Sequence, residues 1–197
     1  MTPLSEFFEC WKNGCGADEC STATTKPFCR GKVPCDILFT GEAAGQSEDS
    51  VGQPFVGPAG RLLDSIVAEA VPPHIRCAFT NIVVCLPTDA DDGGKLAQPT
   101  CEQVHACAPR LIHFVKVAKP KLIVCVGKFA EQWLDRKYKG AIQIPLLDEL
   151  GHGSGNIPQI TIDHPAFILR ANYVQQSLLK QKCVIRISGA IEDYLSG

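Results

Sequence analysis

Four short apolar runs alternate with helix-like stretches along this chain, and this alternation limits its fold more than any other feature. The first run, Asp36-Ile-Leu-Phe-Thr40, ends at Gly41, as expected of a buried strand that enters a tight turn. The other predicted strands span 77–84, 122–126 and 159–162. Helical spacing of apolar residues predicts helices over 62–70, 100–117, 128–134 and 175–195. Because parallel strands need crossover connections, the sequence predicts a three-layer α/β/α fold around a mainly parallel, four-stranded sheet, with residues 1–197 forming one domain.

The composition excludes several classes of protein. Of 197 residues, 45% are hydrophobic and 20% are charged, which is typical of globular domains and not of collagen or disordered chains. No stretch reaches the roughly 18 apolar residues that cross a bilayer, and the N-terminus lacks the pattern of a secretory signal. We therefore expect a cytoplasmic protein with no membrane partner. The formal charge of −2 gives no global attraction to nucleic acid, so DNA binding would need a local patch.

Cysteine is the one compositional outlier, with 11 residues. An odd number of cysteines in a chain without an export signal favours metal binding over disulfides. Some of these thiols must be ordinary core groups, and Cys125 in the segment KLIVCVG is predicted to be one of them.

A glycine-rich segment, GEAAGQSEDSVGQPFVGPAG, begins at Gly41, directly after the first predicted strand. Ligands of open parallel sheets bind beyond the carboxyl ends of the strands. The segment matches neither the dinucleotide fingerprint nor the phosphate loop, so no nucleotide cofactor is expected. Two acids, Glu48 and Asp49, and the aromatic Phe55 favour a binding site here over an ordinary loop.

Polar residues also mark two other strands. Asn81 interrupts the apolar segment TNIVVCLP, and a buried asparagine must find partners. Its amide could pair with the O4 and N3 edge of a pyrimidine such as uracil, or with a neighbouring loop backbone. His164 follows the last predicted strand in HPAFILR, where Pro165 enforces an extended backbone before the turn.

Together, these segments resemble the uracil-DNA glycosylase superfamily, most closely its family 4, the iron–sulfur type of bacteria, archaea and some phages. Family members read approximately G-E-[GA]-P-G-x-x-E-D-x-x-G-x-P-F-V-G-x-A-G, T-N-x-V-K-C-x-P and H-P-[AS]-x-L-L-R, in the order found here. The resemblance covers about residues 11 to 195. It implies a DNA repair enzyme that flips uracil out of DNA and hydrolyses its N-glycosidic bond, leaving an abasic site.

The resemblance also implies roles for individual residues. Phe55 would stack on the extruded uracil, Asn81 would read its Watson–Crick edge, and His164 would face the base O2 as a catalytic residue. Glu48 would be the second catalytic residue, orienting water or stabilising charge on the sugar, with Asp49 as an alternative. Other substrate contacts would come from the turn after the first strand, at Gly41, Glu42, Ala43, Gly45 and Gln46. Of these, Glu42 would exclude the methyl group of thymine.

DNA contacts are implied for three residues after His164. Ile168 and Leu169 would be candidates for the wedge that fills the gap left by the flipped base, and Arg170 would contact phosphate. The chain departs from the family pattern at Ala44, where a proline is usual, and at Val84, where a lysine is usual. The first change is expected to loosen a turn, and the second removes a phosphate contact. The expected partner is DNA containing uracil, and a monomer is expected.

The resemblance further implies a [4Fe–4S] cluster held by four cysteines. Cys85 and Cys101 have the family's spacing, whereas the usual N-terminal C-x-x-C is absent. Cys15 and Cys20 are expected to replace that pair, because they lie at a similar distance ahead of the first strand. A four-cysteine zinc site would use the same ligands.

Three alternatives remain at this point. A relative that crosslinks covalently to uracil-DNA carries a basic loop with a histidine after the asparagine strand, but the loop here, TDADDGGKLAQPT, is acidic and has no histidine. A catalytically weak or inactive module that binds DNA or a replication partner would agree with Ala44 and Val84. A redox role for the cluster is a weaker alternative, because no site for a partner cofactor is recognisable.

Overall fold

A five-stranded, mostly parallel sheet forms the centre of the protein. The structure is a computed structural model that describes residues 2–15, 25–89, 95–135 and 157–195. The strands of the sheet are β1 (Arg30–Gly31), β2 (Ile37–Ala43), β3 (Cys77–Val83), β6 (Leu122–Val126) and β7 (Gln159–Ile162). Their order is β1-β3-β2-β6-β7, and only β1 runs antiparallel to its neighbour. Two short strands, β4 (Thr88–Asp89) and β5 (Lys95–Leu96), form a separate pair.

Seven helices lie in the described part of the chain. They are α1 (Pro3–Trp11), α2 (Gln46–Val51), α3 (Pro58–Ala70), α4 (Cys101–Ala118), α5 (Lys128–Leu134), α6 (Pro165–Leu169) and α7 (Tyr173–Leu195). The α/β class is therefore confirmed, with a fifth strand that the sequence analysis missed because β1 has only two residues. None of the described helices is long and apolar enough to cross a membrane.

Local signals fix the ends of the helices that flank the site. Pro58 occupies the first turn of α3, where backbone N–H groups have no partner within the helix, so its lack of an N–H costs no hydrogen bond. The helix ends before Pro72. The start of α4 is a capping box, in which Thr100 Oγ1 accepts from the amide of Gln103 at 3.2 Å and Gln103 Oε1 accepts from the amide of Thr100 at 2.9 Å. These caps hold the connections that leave the sheet in fixed positions.

Alternate side chains of each strand enter two separate cores, as expected for a sheet covered on both faces. Leu38 and Ile123 join a core with Phe114 of α4, and α1 and α5 also contribute to it. Ile37 belongs to the opposite core, together with Ile187 of α7. Cys125 is 1% exposed, which confirms that its thiol belongs to the core.

The carboxyl ends of the parallel strands meet at one edge of the sheet. Gly41 of β2 lies opposite Asn81 of β3. On the other side of β2, the amide of Gly127, directly after β6, donates to the carbonyl of Ile162 of β7 at 3.0 Å. The glycine-rich segment, the asparagine and the histidine motif therefore all leave the sheet at the same edge.

Candidate active site

An aromatic ring and an amide meet above Gly41, at the end of β2. A Cβ atom added to Gly41 would lie 2.5 Å from Asn81 Oδ1 and 2.6 Å from Phe55 Cζ. Any side chain at this position would collide with both groups, so glycine is required for their close approach. Asn81 is 2% exposed, so its amide lies buried beside the ring.

Phe55 adopts a backbone conformation that aromatic residues rarely occupy, with φ of +57°. Its ring packs edge-on against Phe79, with 6.2 Å between the ring centroids. The guanidinium of Arg30 donates to the carbonyls of Pro54 at 2.8 Å and Phe55 at 3.3 Å, and it also lies 4.0 Å above the Phe79 ring. Arg30 was not identified from the sequence, because no motif marks it, yet it holds the loop that carries Phe55.

The carboxylate of Glu48 is occupied by three backbone amides. Oε1 accepts from Val56 at 2.9 Å and from Gly57 at 2.8 Å, and Oε2 accepts from Gly45 at 3.1 Å. These bonds tie the two ends of the loop around α2 together. Both oxygens of Glu48 are therefore engaged in holding this loop, a structural contact that the expected role on water or the sugar does not include.

Asp49, the alternative acid, is also engaged elsewhere. Its Oδ1 accepts from the amide of Thr25 at 3.2 Å, and its carbonyl accepts from the Thr25 hydroxyl at 2.6 Å. Asp49 therefore anchors the segment before β1.

Glu42 lies half-buried at the end of β2, next to Gly41. Burial raises the pKa of its carboxyl group, and a hydrogen bond from Gln98 opposes this effect. Gln98 was not identified from the sequence either. Of the other predicted substrate contacts, Ala43 and Gly45 are half-buried, whereas Gln46 is exposed in the first turn of α2.

His164 caps the start of α6 with its ring. Its Nδ1 accepts from the amide of Ala166 at 3.1 Å, so Nδ1 carries no proton and the neutral ring keeps its hydrogen on Nε2. Burial lowers the pKa of His164, and the charge of Arg170 lowers it further. A Cβ atom on Gly127 would lie 3.0 Å from the His164 Cβ, so Gly127 gives the histidine room at the sheet edge.

A match to a known protein family decides which family the chain belongs to. The description of that family is uracil DNA glycosylase superfamily, and it matches residues 29–187. The chain belongs to the uracil-DNA glycosylase superfamily.

Several proteins named type-4 uracil-DNA glycosylase are similar to this chain. The one from Archaeoglobus fulgidus is 32% identical over 144 residues, which cover 71% of this chain and 69% of that protein. The one from Pyrobaculum aerophilum is 32% identical over 71% of each chain. The one from Sulfurisphaera tokodaii is 34% identical, but over 54% of this chain and 46% of that protein. These similarities place the chain among the type-4 members of the superfamily.

The three residues implied as DNA contacts of this glycosylase-family chain differ in exposure. Ile168 is 1% exposed and lies in the core with Ile162, so it cannot act as a wedge. Leu169 is 41% exposed and its neighbour Phe167 is 51% exposed, and Arg170 is also exposed. The structure therefore corrects the choice of Ile168 and leaves Leu169 and Phe167 as the apolar side chains at the surface.

Two cysteines, Cys15 and Cys107, form a pair that was not predicted from the sequence. A hydrogen bond with Cys15 lowers the pKa of Cys107 against the opposing effect of burial, and the charge of Arg110 and the backbone of Val84 lower it further. Cys107 therefore lies beside both Cys15 and the residue that precedes Cys85.

Cys101, by contrast, is exposed at the first position of α4. Cys107 lies six positions after Cys101 on the α-helix, which is about 9 Å along the axis. The structure thus brings Cys107 to Cys15, whereas Cys101 is exposed. Cys20 lies outside the described residues, and within the described ranges no three metal-binding side chains are grouped closely enough to hold an ion.

A neutral, half-buried His164 predicts a specific dependence of stability on pH. Because its pKa in the folded state is below the ordinary value of 6.5, the unfolded state binds more protons as the pH falls below 6.5. The stabilising contribution of the neutral ring is complete above that pH and is lost as the pH falls through the folded-state pKa.

We therefore expect the unfolding free energy of the wild type to exceed that of His164→Gln by an amount that shrinks between pH 6.5 and pH 5. Chemical denaturation over this pH range measures it. The variant His74→Gln, which changes an exposed histidine, is the control and should follow the wild type. A difference that grows as the pH falls would show that His164 is charged in the folded protein.

Proposed function

We propose that this protein is a uracil-DNA glycosylase that hydrolyses the bond between uracil and deoxyribose in DNA and leaves an abasic site. The observation that carries the proposal is the meeting of the Phe55 ring and the Asn81 amide above Gly41, in a chain of this superfamily. An aromatic ring and an amide side by side can hold a planar base by stacking and by paired hydrogen bonds.

The substrate enters this pocket only after the nucleotide has left the duplex, at a cost of a few kcal/mol. Stacking on Phe55 offsets part of that cost, and Leu169 or Phe167 fills the gap in the base stack. Asn81 donates from Nδ2 to O4 of uracil and accepts from N3–H at Oδ1. In this proposal the half-buried Glu42 excludes the methyl group of thymine.

The reaction breaks the bond between C1′ of the sugar and N1 of the base, and the bonding electrons leave with the base. Negative charge then develops on O2 of uracil, where a fixed hydrogen-bond donor stabilises the transition state. We assign this role to Nε2–H of His164, which is supported by the bond from Ala166 to Nδ1. Water adds to C1′, and the leaving base gains the proton that balances the reaction.

Glu48 takes a different role in this proposal from the one that the sequence implied. Its three amide bonds support a positioning role, in which the carboxylate holds Phe55 in its left-handed conformation. Arg30 supports the same loop from the other side.

A [4Fe–4S] cluster fits the donor chemistry of the cysteine pair, because iron–sulfur clusters are held by thiolates. We propose Cys15, Cys85 and Cys107 as ligands, with Cys107 in place of Cys101 and Cys20 as the fourth. Because no three described cysteines are grouped in this structure, these thiols must move together when the cluster binds. The cluster would supply a crosslink between the N-terminal segment and the β3–α4 region, with no part in the chemistry at the base. Zinc remains the less favoured metal.

The pocket is tested by excision of uracil from a labelled oligonucleotide. We expect the wild type to produce abasic sites without added divalent metal or nucleotide. Asn81→Ala should lower kcat on the order of 10- to 100-fold, because a paired contact with a base edge contributes ~1–3 kcal/mol. The exposed Gln181→Ala variant is the control.

Two results would count against the proposed function. One is wild-type protein that binds uracil-DNA without excising the base, which would favour the alternative of a binding module. The other is an Asn81→Ala variant with wild-type kcat, which would limit Asn81 to a structural role.

The ligand assignment is tested by replacing single cysteines and measuring iron and visible absorbance. Cys107→Ser is expected to lose iron and the brown colour, because its buried thiol lies next to Cys15. Cys101→Ser, its matched control on the same helix, should keep both. Loss of iron from Cys101→Ser alone would restore the original choice, and a colourless protein with bound zinc would replace the cofactor.

A further inference from the structure

A buried arginine lies between the candidate base pocket and the cysteine pair. Arg110, in the middle of α4, is 1% exposed and has the largest fully buried side chain in the described part of the protein. Among the described residues, no carboxylate pairs with it, and its Nε finds no acceptor. Burying an arginine without a carboxylate is costly, so its remaining contacts must justify its presence.

These contacts concentrate on the strand that carries Asn81. Nη2 of Arg110 donates to the carbonyls of Asn81 and Ile82, both at 2.7 Å. Nη1 donates to the hydroxyl of Thr80 at 3.0 Å, and that hydroxyl in turn donates to the carbonyl of Phe28 at 2.7 Å. Three consecutive residues of β3 are thus held by one rigid, planar group.

The guanidinium of Arg110 lies beside a part of β3 that has no neighbouring strand on one side in the described sheet. β1 accompanies β3 only opposite Ala78 and Phe79, and the described part of the sheet has no strand beyond β1 on that side. The residues that follow Phe79 therefore lack a strand neighbour at this edge. Backbone carbonyls in a buried position need donors, and Arg110 supplies them.

The same side chain reaches the cysteine pair. Nη2 of Arg110 lies 3.5 Å from Sγ of Cys107, one turn earlier on α4. A single side chain therefore touches both a proposed cluster ligand and the backbone of the proposed base-reading residue.

We propose that Arg110 is a positioning residue that fixes the backbone of Thr80–Ile82, and thereby aims the Asn81 amide at the base, while linking this segment to Cys107. This inference rests on the proposed function of Asn81. If the arginine only filled the core, its loss would lower stability without acting through Asn81.

The experiment combines Arg110→Gln with Asn81→Ala in a double-mutant cycle on uracil excision. Arg110→Gln should lower kcat by about tenfold, because lost bonds from a charged donor leave buried acceptors unpaired. In the Asn81→Ala background, the same change should have little further effect, since residues that act through one another are not additive. Lys116→Gln, an exposed change on the same helix, is the control.

Two further measurements keep the outcomes distinct. Arg110→Lys keeps the charge but cannot span the three acceptors, so it should show an intermediate loss of kcat. It takes the place of Arg110→Gln in the cycle if that variant fails to fold. Hydrogen exchange of the Ile82 and Val83 amides should accelerate in the Arg110 variants, whereas exchange of the Val124 amide in β6 should not. This exchange measurement tests the positioning role even if the wild type excises no uracil, which would overturn the proposed function separately.

Fully additive losses of kcat in the cycle would overturn the inference, and so would unchanged exchange at Ile82 and Val83. Arg110→Gln with wild-type kcat would also overturn it.

Discussion

The carboxylate of Glu48 is the interaction on which the candidate pocket depends. It joins the amide of Gly45, before α2, to those of Val56 and Gly57, after it. Phe55 lies between these anchor points with a positive φ, which costs free energy in a residue other than glycine and persists only where the surroundings enforce it. A charged acceptor that bonds three amides provides this enforcement, because bonds to ionised groups are stronger than neutral ones.

The sheet supplies the second half of the pocket. Its register places Asn81 opposite Gly41, and glycine allows the amide and the Phe55 ring to approach each other. The two halves come from separate parts of the chain and are held by separate charged groups, Glu48 for the loop and Arg110 for the strand. Both groups bind backbone atoms. The positions of the Phe55 ring and the Asn81 amide are therefore set by side chains that need not touch the base.

The sequence was informative wherever a pattern reflects local physics. Strands and long helices were predicted from apolar spacing, and motifs identified Phe55, Asn81 and His164. Short elements such as β1 and α6 were not predicted, because two to five residues are too few to show a periodic pattern of apolar residues. The direction of a side chain cannot be read from spacing either, so the position of Cys107 beside Cys15 was not predicted. For the same reason, Ile168 looked like a surface wedge although it is buried.

We infer that Glu48 acts through the loop that holds Phe55 and not on the reacting atoms. Calorimetric titration of Glu48→Gln with free uracil tests this inference most directly. A side-chain amide cannot accept from all three backbone amides, so the loop should loosen and the stacking of the base on Phe55 should weaken. Because stacking contributes ~1–3 kcal/mol per base, we predict about tenfold weaker uracil binding than in the wild type. Wild-type affinity for uracil, together with a large loss of excision, would contradict this positioning role and return Glu48 to a direct role on water or the sugar.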